Sequence, residues 1–527
     1  MAKTKVQLYD TTLRDGTQAE GFTLSVDDKL KVLSALDSLG VHFIEGGWPG
    51  SNPRDEEFFE RAKDVTLKNS TLVAFGSTHH PKKKPSADAN LAALIDSGAE
   101  VVALVGKSWT RHLRHQLKIS LERNLAMVTG SVEYMIKKGL RVFFDAEHFF
   151  DGFKEDPDYA MAVLDAAAEA GAEALVLCDT NGGNLPGTIS EITAQVAERH
   201  KGLTIGIHSH NDSELAVACS LAAVSAGARQ VQGTLAGFGE RCGNANLCSI
   251  IPNLQLKMGY HCLGKRQLKQ LTRTTRYLFE LANIPPHRYL PYVGSSAFTH
   301  KGGLHISAVE KDPILYEHVP PEALGNQRKL LVSDLAGRAA VLAKAKIWGI
   351  DLEGKKDHAE AILKALKERE NQGFQYEGAE ASFELLMHRA RGAKAQYFDL
   401  VGFRVMDFKA AEHEPPQAEA TIRVKVGDQE EHTAASGDGP VHALDRAIRK
   451  ALVRFFPVLQ DVRLVDYKVR VLTGRDGTAA KVRVLIESSD GKTTWGTVGV
   501  SGDVLEASWQ ALGDSIRYKL YRESRRK

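Results

Sequence analysis

Residues 203–210 read LTIGIHSH, an apolar, β-branched run that closes on two histidines one residue apart. In a strand, side chains at i and i+2 lie on one side, roughly 7 Å apart, so His208 and His210 aim at one point. Two imidazoles on one strand face form a metal-ligand geometry. A pair of partly exposed, hydrogen-bonded histidines at a strand end is the competing account. What surrounds the run decides between them.

Seven further β-like runs recur with helical stretches between them: VQLYD (6–10), VHFIEGG (41–47), TLVAFGS (71–77), EVVALVG (100–106), LRVFFDAEH (140–148), EALVLCDT (173–180) and RQVQGTLAG (229–237). Eight strands alternating with helices over about 250 residues match the count and length of a (β/α)₈ TIM barrel. The helices between them are amphipathic, with Leu30, Leu33, Leu36 and Leu39 near one face, and Gly punctuates their ends in LDSLG, IDSGAE, AEAGAE and VSAGAR. A doubly wound open sheet gives no reason for eight even repeats.

On the barrel reading, the chemistry-bearing residues all fall at strand C-termini. Arg14 and Asp15 follow strand 1, Glu147 ends strand 5 and Thr180 strand 6. His208 and His210 end strand 7, and Asn244 follows strand 8. These are mouth positions, where barrel active sites lie, and the clustering favours the metal reading of the two histidines. A carboxylate from the first loop, both histidines and Asn244 make a mixed N/O site suited to Mg²⁺, Mn²⁺ or Zn²⁺. Asp10 and Asp15 compete for the carboxylate role, and spacing does not choose. Arg14, between two acids, either pairs with them or stabilises negative charge on a substrate oxygen. Glu147, in FFDAEHFFDGF, reads as a base, a substrate orienter or the partner of His148. Thr180, in LCDTNGG, offers a hydroxyl to a substrate carboxylate or caps a turn. The glycines of GFGERCGNANL (237–247) let the backbone bend close to the metal, with Glu240 and Arg241 supporting the ligands. The loop HHPKKKP (79–85) reads as solvated, and His300 and His305 as surface histidines.

The chain's 527 residues exceed a single core and predict two to four domains. Hydrophobic content of 43% and charged content of 25% are those of an ordinary globular protein. With 68 Lys and Arg against 66 Asp and Glu, the charge balance gives no reason to expect nucleic acid or a membrane as partner. The ending YRESRRK reads as a solvated tail. The opening MAKTKVQLYD enters a strand pattern directly, and no apolar run approaches the ~20 residues of a membrane span. The five cysteines lack CxxC spacing and read as reduced thiols, Cys242 as a buried small hydrophobe. A cytoplasmic location is the expectation.

After about residue 265 helical patterns take over, and near FQYEGAEASFELL (374–386) a new domain begins. The expected division is a barrel over 1–265, a helical linker over 266–372 and a C-terminal domain over 373–527. That last domain carries a weak repeat: HTAASGDGPVHALDRAIRKAL (432–452) and GTVGVSGDVLEASWQALGDSI (496–516) align without gaps. Each copy follows strand-like runs and leads into a helix, which predicts a pseudo-symmetric α+β module serving regulation or assembly.

Taken together, LYDTTLRDGTQ, HSHND, GFGERCGNANL and HKGGLH resemble the metal-dependent acyl-CoA condensing enzymes. These are the isopropylmalate, homocitrate and citramalate synthases, which share a TIM barrel and a two-unit LeuA-type dimerisation and allosteric domain. IEGGWPGSNPRDEEFF, GKSW, DAEHFFDGFK, LCDTNGG and YEGAEASFELL resemble the citramalate branch. The resemblance implies metal ligands Asp15, His208, His210 and Asn244, with Arg14 beside the metal and Glu147 catalytic. It further implies His305 assisted by Tyr316, and Thr180 on the 2-oxo acid carboxylate. Ser307, Ser213-Glu214 and Cys219 depart from the family pattern. The implied reaction is a Claisen-type condensation of acetyl-CoA with pyruvate, in a homodimer inhibited by isoleucine. The alternatives are 2-oxoisovalerate or 2-oxoglutarate as acceptor, a metal-dependent barrel hydrolase, and a non-catalytic amino-acid sensor.

Overall fold

The computed structural model describes residues 4–331, 345, 350, 356–390, 397–472 and 480–525. Eight parallel strands close into a barrel: β1 (Gln7–Asp10), β2 (Phe43–Gly47), β3 (Thr71–Ser77), β4 (Val101–Lys107), β5 (Arg141–Glu147), β6 (Ala174–Asp179), β7 (Thr204–Ser209) and β8 (Gln230–Gly233). Each lies beside its neighbour in sequence, and β1 pairs with β8 from Gln7↔Gln230 to Asp10↔Gly233. The eight expected strands are thus in place, with ends displaced by a few residues at most, as hydrogen-bond ladders fray there.

Strand alternation sorts the side chains. On β5, Val142, Phe144 and Ala146 point out into the core shared with the helices, as do Ile205 and Ile207 on β7. The intervening residues point inward. The lower interior is an apolar plug of Tyr9, Phe43, Val73, Val101, Ala103 and Phe143, where Phe43 and Phe143 meet edge to face at 4.9 Å. Above it the inward positions turn polar. The helices close the outer layer: Val26–Leu39 starts in a capping box between Ser25 and Asp28 and stops at Gly40 in the left-handed region. Its Leu33, Leu36 and Leu39 are fully buried.

The chain divides into two compact units, residues 1–298 with 319–328 and residues 299–318 with 329–527. The second unit holds the short parallel pair β9 (Thr299–His300) and β10 (Lys329–Leu330), and the helix Gly303–Lys311. It also holds two antiparallel three-stranded sheets. One is β11 (Asp399–Phe408), β12 (Gln417–Val426) and β13 (Gln429–Gly437), followed by the helix Pro440–Val453. The other is β14 (Arg463–Val471), β15 (Val482–Ser489) and β16 (Thr494–Ser501), followed by the helix Val504–Ser524. The ungapped repeat therefore overlays the third strand and following helix of each sheet. Equivalent positions, Ala443 with Ala507 and Ile448 with Leu512, are buried in both copies. Among the described residues no helix is long and apolar enough to cross a membrane.

Candidate active site

At the strand C-termini the barrel opens into a cavity of about 570 Å³ lined by Arg14, Asp15, Glu147, Thr180, His208 and His210, together with the apolar Trp48, Phe75 and Val105. Six sequence-predicted residues thus meet in one place. Alternation explains the set: Glu147 continues the inward series Phe143 and Asp145, and His208 and His210 continue Gly206.

The two aspartates are held differently. Asp10 shares the outward side of β1 with Leu8. Its carboxylate accepts from the Thr12 N–H at 2.9 Å and the Thr12 hydroxyl at 3.1 Å, so it shapes the first loop. Burial pushes its pKa up to about 7. Asp15, on the loop, turns Oδ2 to within 3.6 Å of His208 Nε2. Burial alone would raise the Asp15 pKa, but Arg14, His208 and His210 outweigh it and hold the carboxyl below its ordinary value.

Asn244 is tied to the same point by a bridge between its backbone and that of His210. Its Nδ2 donates to Phe238 O at 3.4 Å, while Oδ1 and Asp15 Oδ2 are buried without a hydrogen-bond partner. Two orphaned oxygens beside two imidazoles are the donor set of a divalent cation with open positions. Among the described residues no three His, Cys, Asp or Glu side chains are already gathered tightly enough to hold an ion. The glycines of the last loop leave the room that Asn244 needs: a Cβ on Gly239 would stand 2.1 Å from Asn244 Nδ2, and one on Gly243 2.1 Å from Gly237 O.

The two histidines are held differently. His208 Nδ1 lies 2.9 Å from Gln232 Oε1. His210 Nδ1 lies 2.9 Å from Arg241 Nη2, and a guanidinium only donates, so this contact must open before His210 can ligate through Nε2. Burial, then His208, lower the His210 pKa to about 3, which leaves the ring neutral. Arg241 also pairs with Asp212 at 2.7 Å and donates to Thr180 O at 2.8 Å.

Arg14 is clamped. Nη1 binds Asp15, Nε donates to Glu45 at 2.5 Å, and the guanidinium carbon lies 3.8 Å over the Phe75 ring. Nη2 is left for a substrate oxygen. Glu45 in turn accepts from the Tyr9 hydroxyl at 2.5 Å; burial, outweighing the neighbouring Arg14, raises its pKa. Glu147 pairs with Lys107 rather than with His148, because β4 and β5 place the two directly side by side. His148, in the left-handed region at φ 57°, turns the chain after Glu147 and donates its N–H to Thr180 Oγ1 at 2.9 Å.

His305 and Tyr316 belong to the second unit, where their rings stack at 4.1 Å. Two expectations need correcting. Cys242 is exposed, because it sits on the turn of the glycine loop; the other four cysteines are buried and all five are free. His300 is buried, with Nε2 3.2 Å from Glu317 Oε1, since the β9–β10 pairing takes it below the surface. The loop after β3 divides: His79, His80 and Pro81 line the cavity, and Lys82–Lys84 are exposed.

Sequence reasoning assigned no role to Glu45, Lys107, Asp145 or Gln232. Each is a polar residue at an inward position of its barrel strand, and that parity is the signal that could have found them.

A closed barrel that gathers Arg14, Asp15, Glu147, His208 and His210 at the C-terminal mouth is the frame of a barrel enzyme. Residues 5–277 match the HMGL-like family, 292–373 the homocitrate synthase post-HMGL domain-like family and 377–520 the LeuA allosteric (dimerisation) domain. With more than half its length so matched, the chain belongs to the HMGL-like family. It is 54% identical over 517 residues to the (R)-citramalate synthase of Geobacter sulfurreducens, with 98% of each chain covered. It is 53% identical over 519 residues to that of Aquifex aeolicus, again with 98% of each covered. Against the 2-isopropylmalate synthase of Methanocaldococcus jannaschii, identity falls to 30% over 516 residues, covering 97% of this chain and 94% of the other.

Proposed function

We propose that this chain is an (R)-citramalate synthase, condensing acetyl-CoA with pyruvate to give citramalate and CoA. The observation that carries the reading is the grouping of Arg14, Asp15, His208 and His210 around one cavity, with Asn244 bridged to His210, in a chain about half identical throughout to named citramalate synthases. Asp15, His208, His210 and Asn244 would hold Mg²⁺, Mn²⁺ or Zn²⁺. When bound, such an ion supplies Lewis-acid polarisation of the ketone of a 2-oxo acid.

The chain's own groups do the rest. Arg14 Nη2 meets the negative charge that develops on the ketone oxygen, and its clamp by Glu45 and Asp15 means no reorganisation is needed at that moment. The Thr180 hydroxyl, already accepting from the His148 N–H, keeps its own proton to donate to the substrate carboxylate. Glu147, beside the Lys107 ammonium, takes a methyl proton from acetyl-CoA, and the resulting enolate attacks the ketone carbon. His305, stacked on Tyr316, serves as the second acid–base group by family resemblance. Hydrolysis of the thioester then drives the reaction forward.

The C-terminal domain, from about residue 373, carries dimerisation and inhibition by isoleucine in this reading. Its match to the LeuA domain supports that role. A linker over 266–372 joins it to the barrel.

Release of free CoA from acetyl-CoA, across a panel of 2-oxo acids with and without isoleucine, tests the proposal. Pyruvate-dependent release, abolished by a chelator and suppressed by isoleucine, is expected. Preference for 2-oxoisovalerate or 2-oxoglutarate would reassign the acceptor, and silence with every acid and metal would refute the condensation.

A further inference from the structure

The geometry points to a relay through the barrel interior, Asp145 to Gln232 to His208, that sets the tautomer of His208 before a metal arrives. Gln232 and Asp145 are therefore positioning residues for metal binding.

Gln232 stands directly opposite His208 across the β7–β8 ladder. Its Oε1 is 2.9 Å from His208 Nδ1. Its Nε2 crosses the interior and donates to Asp145 Oδ1, on β5, at 3.3 Å. All three are buried: Gln232 is 0% exposed, Asp145 3% and His208 6%.

A primary amide has one accepting and one donating end, so which end faces the histidine decides where the imidazole proton sits. Asp145 favours one orientation. Burial raises its carboxyl pKa to about 8, so it holds a proton at neutral pH, and its Oδ1 accepts the NH₂ of Gln232, which leaves the amide carbonyl for His208. Nδ1 then carries the proton and Nε2 presents a lone pair toward Asp15 Oδ2, 3.6 Å away. With the amide flipped, its NH₂ would face Nδ1, the proton would move to Nε2, and the ligating nitrogen would be blocked. Such outer partners of a ligating histidine fix its tautomer and ring direction. The contrast with His210 strengthens the case: its Nδ1 is engaged by a pure donor, Arg241, so of the two imidazoles only His208 is preset.

The inference rests on the metal site of the proposed function, and it is tested by metal affinity without substrate. Mn²⁺ binding to the metal-free full chain is followed by the loss of the free-ion electron paramagnetic resonance signal. Gln232→Met, which keeps volume and removes both amide ends, is expected to weaken Mn²⁺ binding about 10–100-fold. Gln232→Glu keeps an acceptor against Nδ1 and is expected to restore affinity close to that of the unaltered chain; a purely structural role would not predict that rescue. Asp145→Leu, of similar size, removes the acceptor for the Gln232 NH₂ and should give a smaller loss in the same direction, which keeps the test available if the Met variant fails to fold. Unchanged affinity in Gln232→Met and Asp145→Leu, each folded by circular dichroism, would overturn the relay. So would absence of Mn²⁺ binding by the unaltered chain. If the chain binds Mn²⁺ and the variants behave as expected but no 2-oxo acid is condensed, the relay stands and the assigned reaction falls.

Discussion

The barrel and the C-terminal sheets treat burial in opposite ways. In the barrel, charged and polar side chains are taken out of water at the interior of a closed sheet: Glu45, Asp145 and Gln232 are almost wholly buried, each against a named partner. In the C-terminal sheets, apolar side chains are left in water. Edge strands β11 and β14 expose Met406, Phe408, Val465, Val469 and Val471, at 46–65% of their surface. A closed barrel has no edges and can preorganise charge, whereas an open three-stranded sheet keeps an edge that invites another chain. On the proposed function, reaction chemistry and assembly are thus carried by different kinds of sheet.

The largest effect that would sharpen this contrast is at Arg14. Arg14→Lys keeps the charge but cannot bind Glu45 and Asp15 while offering a third N–H in plane. Steady-state kinetics should show kcat/KM lower by about 10²–10³. A change under tenfold would mean that the clamp does not preorganise charge. Next comes Glu147→Gln, which removes the base yet preserves shape; turnover should fall by about 10² or more, with CoA release as the readout. In the C-terminal sheets, paired Val469→Asp and Val471→Asp substitutions should move the chain from dimer to monomer in sedimentation velocity. The dissociation constant should rise at least about tenfold, equivalent to 1.4 kcal/mol. Loss of condensing activity without dissociation would break the division of labour.

The smallest expected effect is pH-dependent. Asp10 is held near a pKa of about 7 by burial, above its unfolded value of about 3.9. The folded state therefore keeps a proton that the unfolded chain releases, and the stability present below about pH 4 is lost as pH rises through 7. Asp10→Asn removes that loss. Its melting temperature relative to the unaltered chain should climb between pH 5 and pH 8, by roughly 2–4 °C per kcal/mol recovered. A constant difference across that range would place the cost of burying Asp10 elsewhere.

The fold was legible because eight apolar runs at even spacing leave little else to build, and the ligand candidates because they sit just past those runs. Arg14, Asp15, His208, His210 and Asn244 are each marked by local pattern. Lys107 and Gln232 are not: a lysine ending VVALVGK, or a glutamine inside RQVQGTLAG, acquires meaning only from the strand beside it. Register supplies that meaning, pairing Lys107 with Glu147 and His208 with Gln232. Asp145 is harder still, because its partner lies across the barrel and not on an adjacent strand. Spacing likewise left Asp10 and Asp15 level, and only the family resemblance pointed to Asp15.

The glycine loop after β8 bears on how acceptor range can change. At Gly239 and Gly243 any side chain collides with the Asn244 amide or with backbone, and Gly243 holds φ 93° as well. That side of the mouth is closed to variation. Phe75 is held too, since Arg14 stacks on its ring. Trp48 and Val105 line the same cavity through side chains rather than main chain, and it is there that divergence among enzymes of this architecture, or redesign for bulkier 2-oxo acids, can be written without disturbing the Arg14 clamp or the glycine loop.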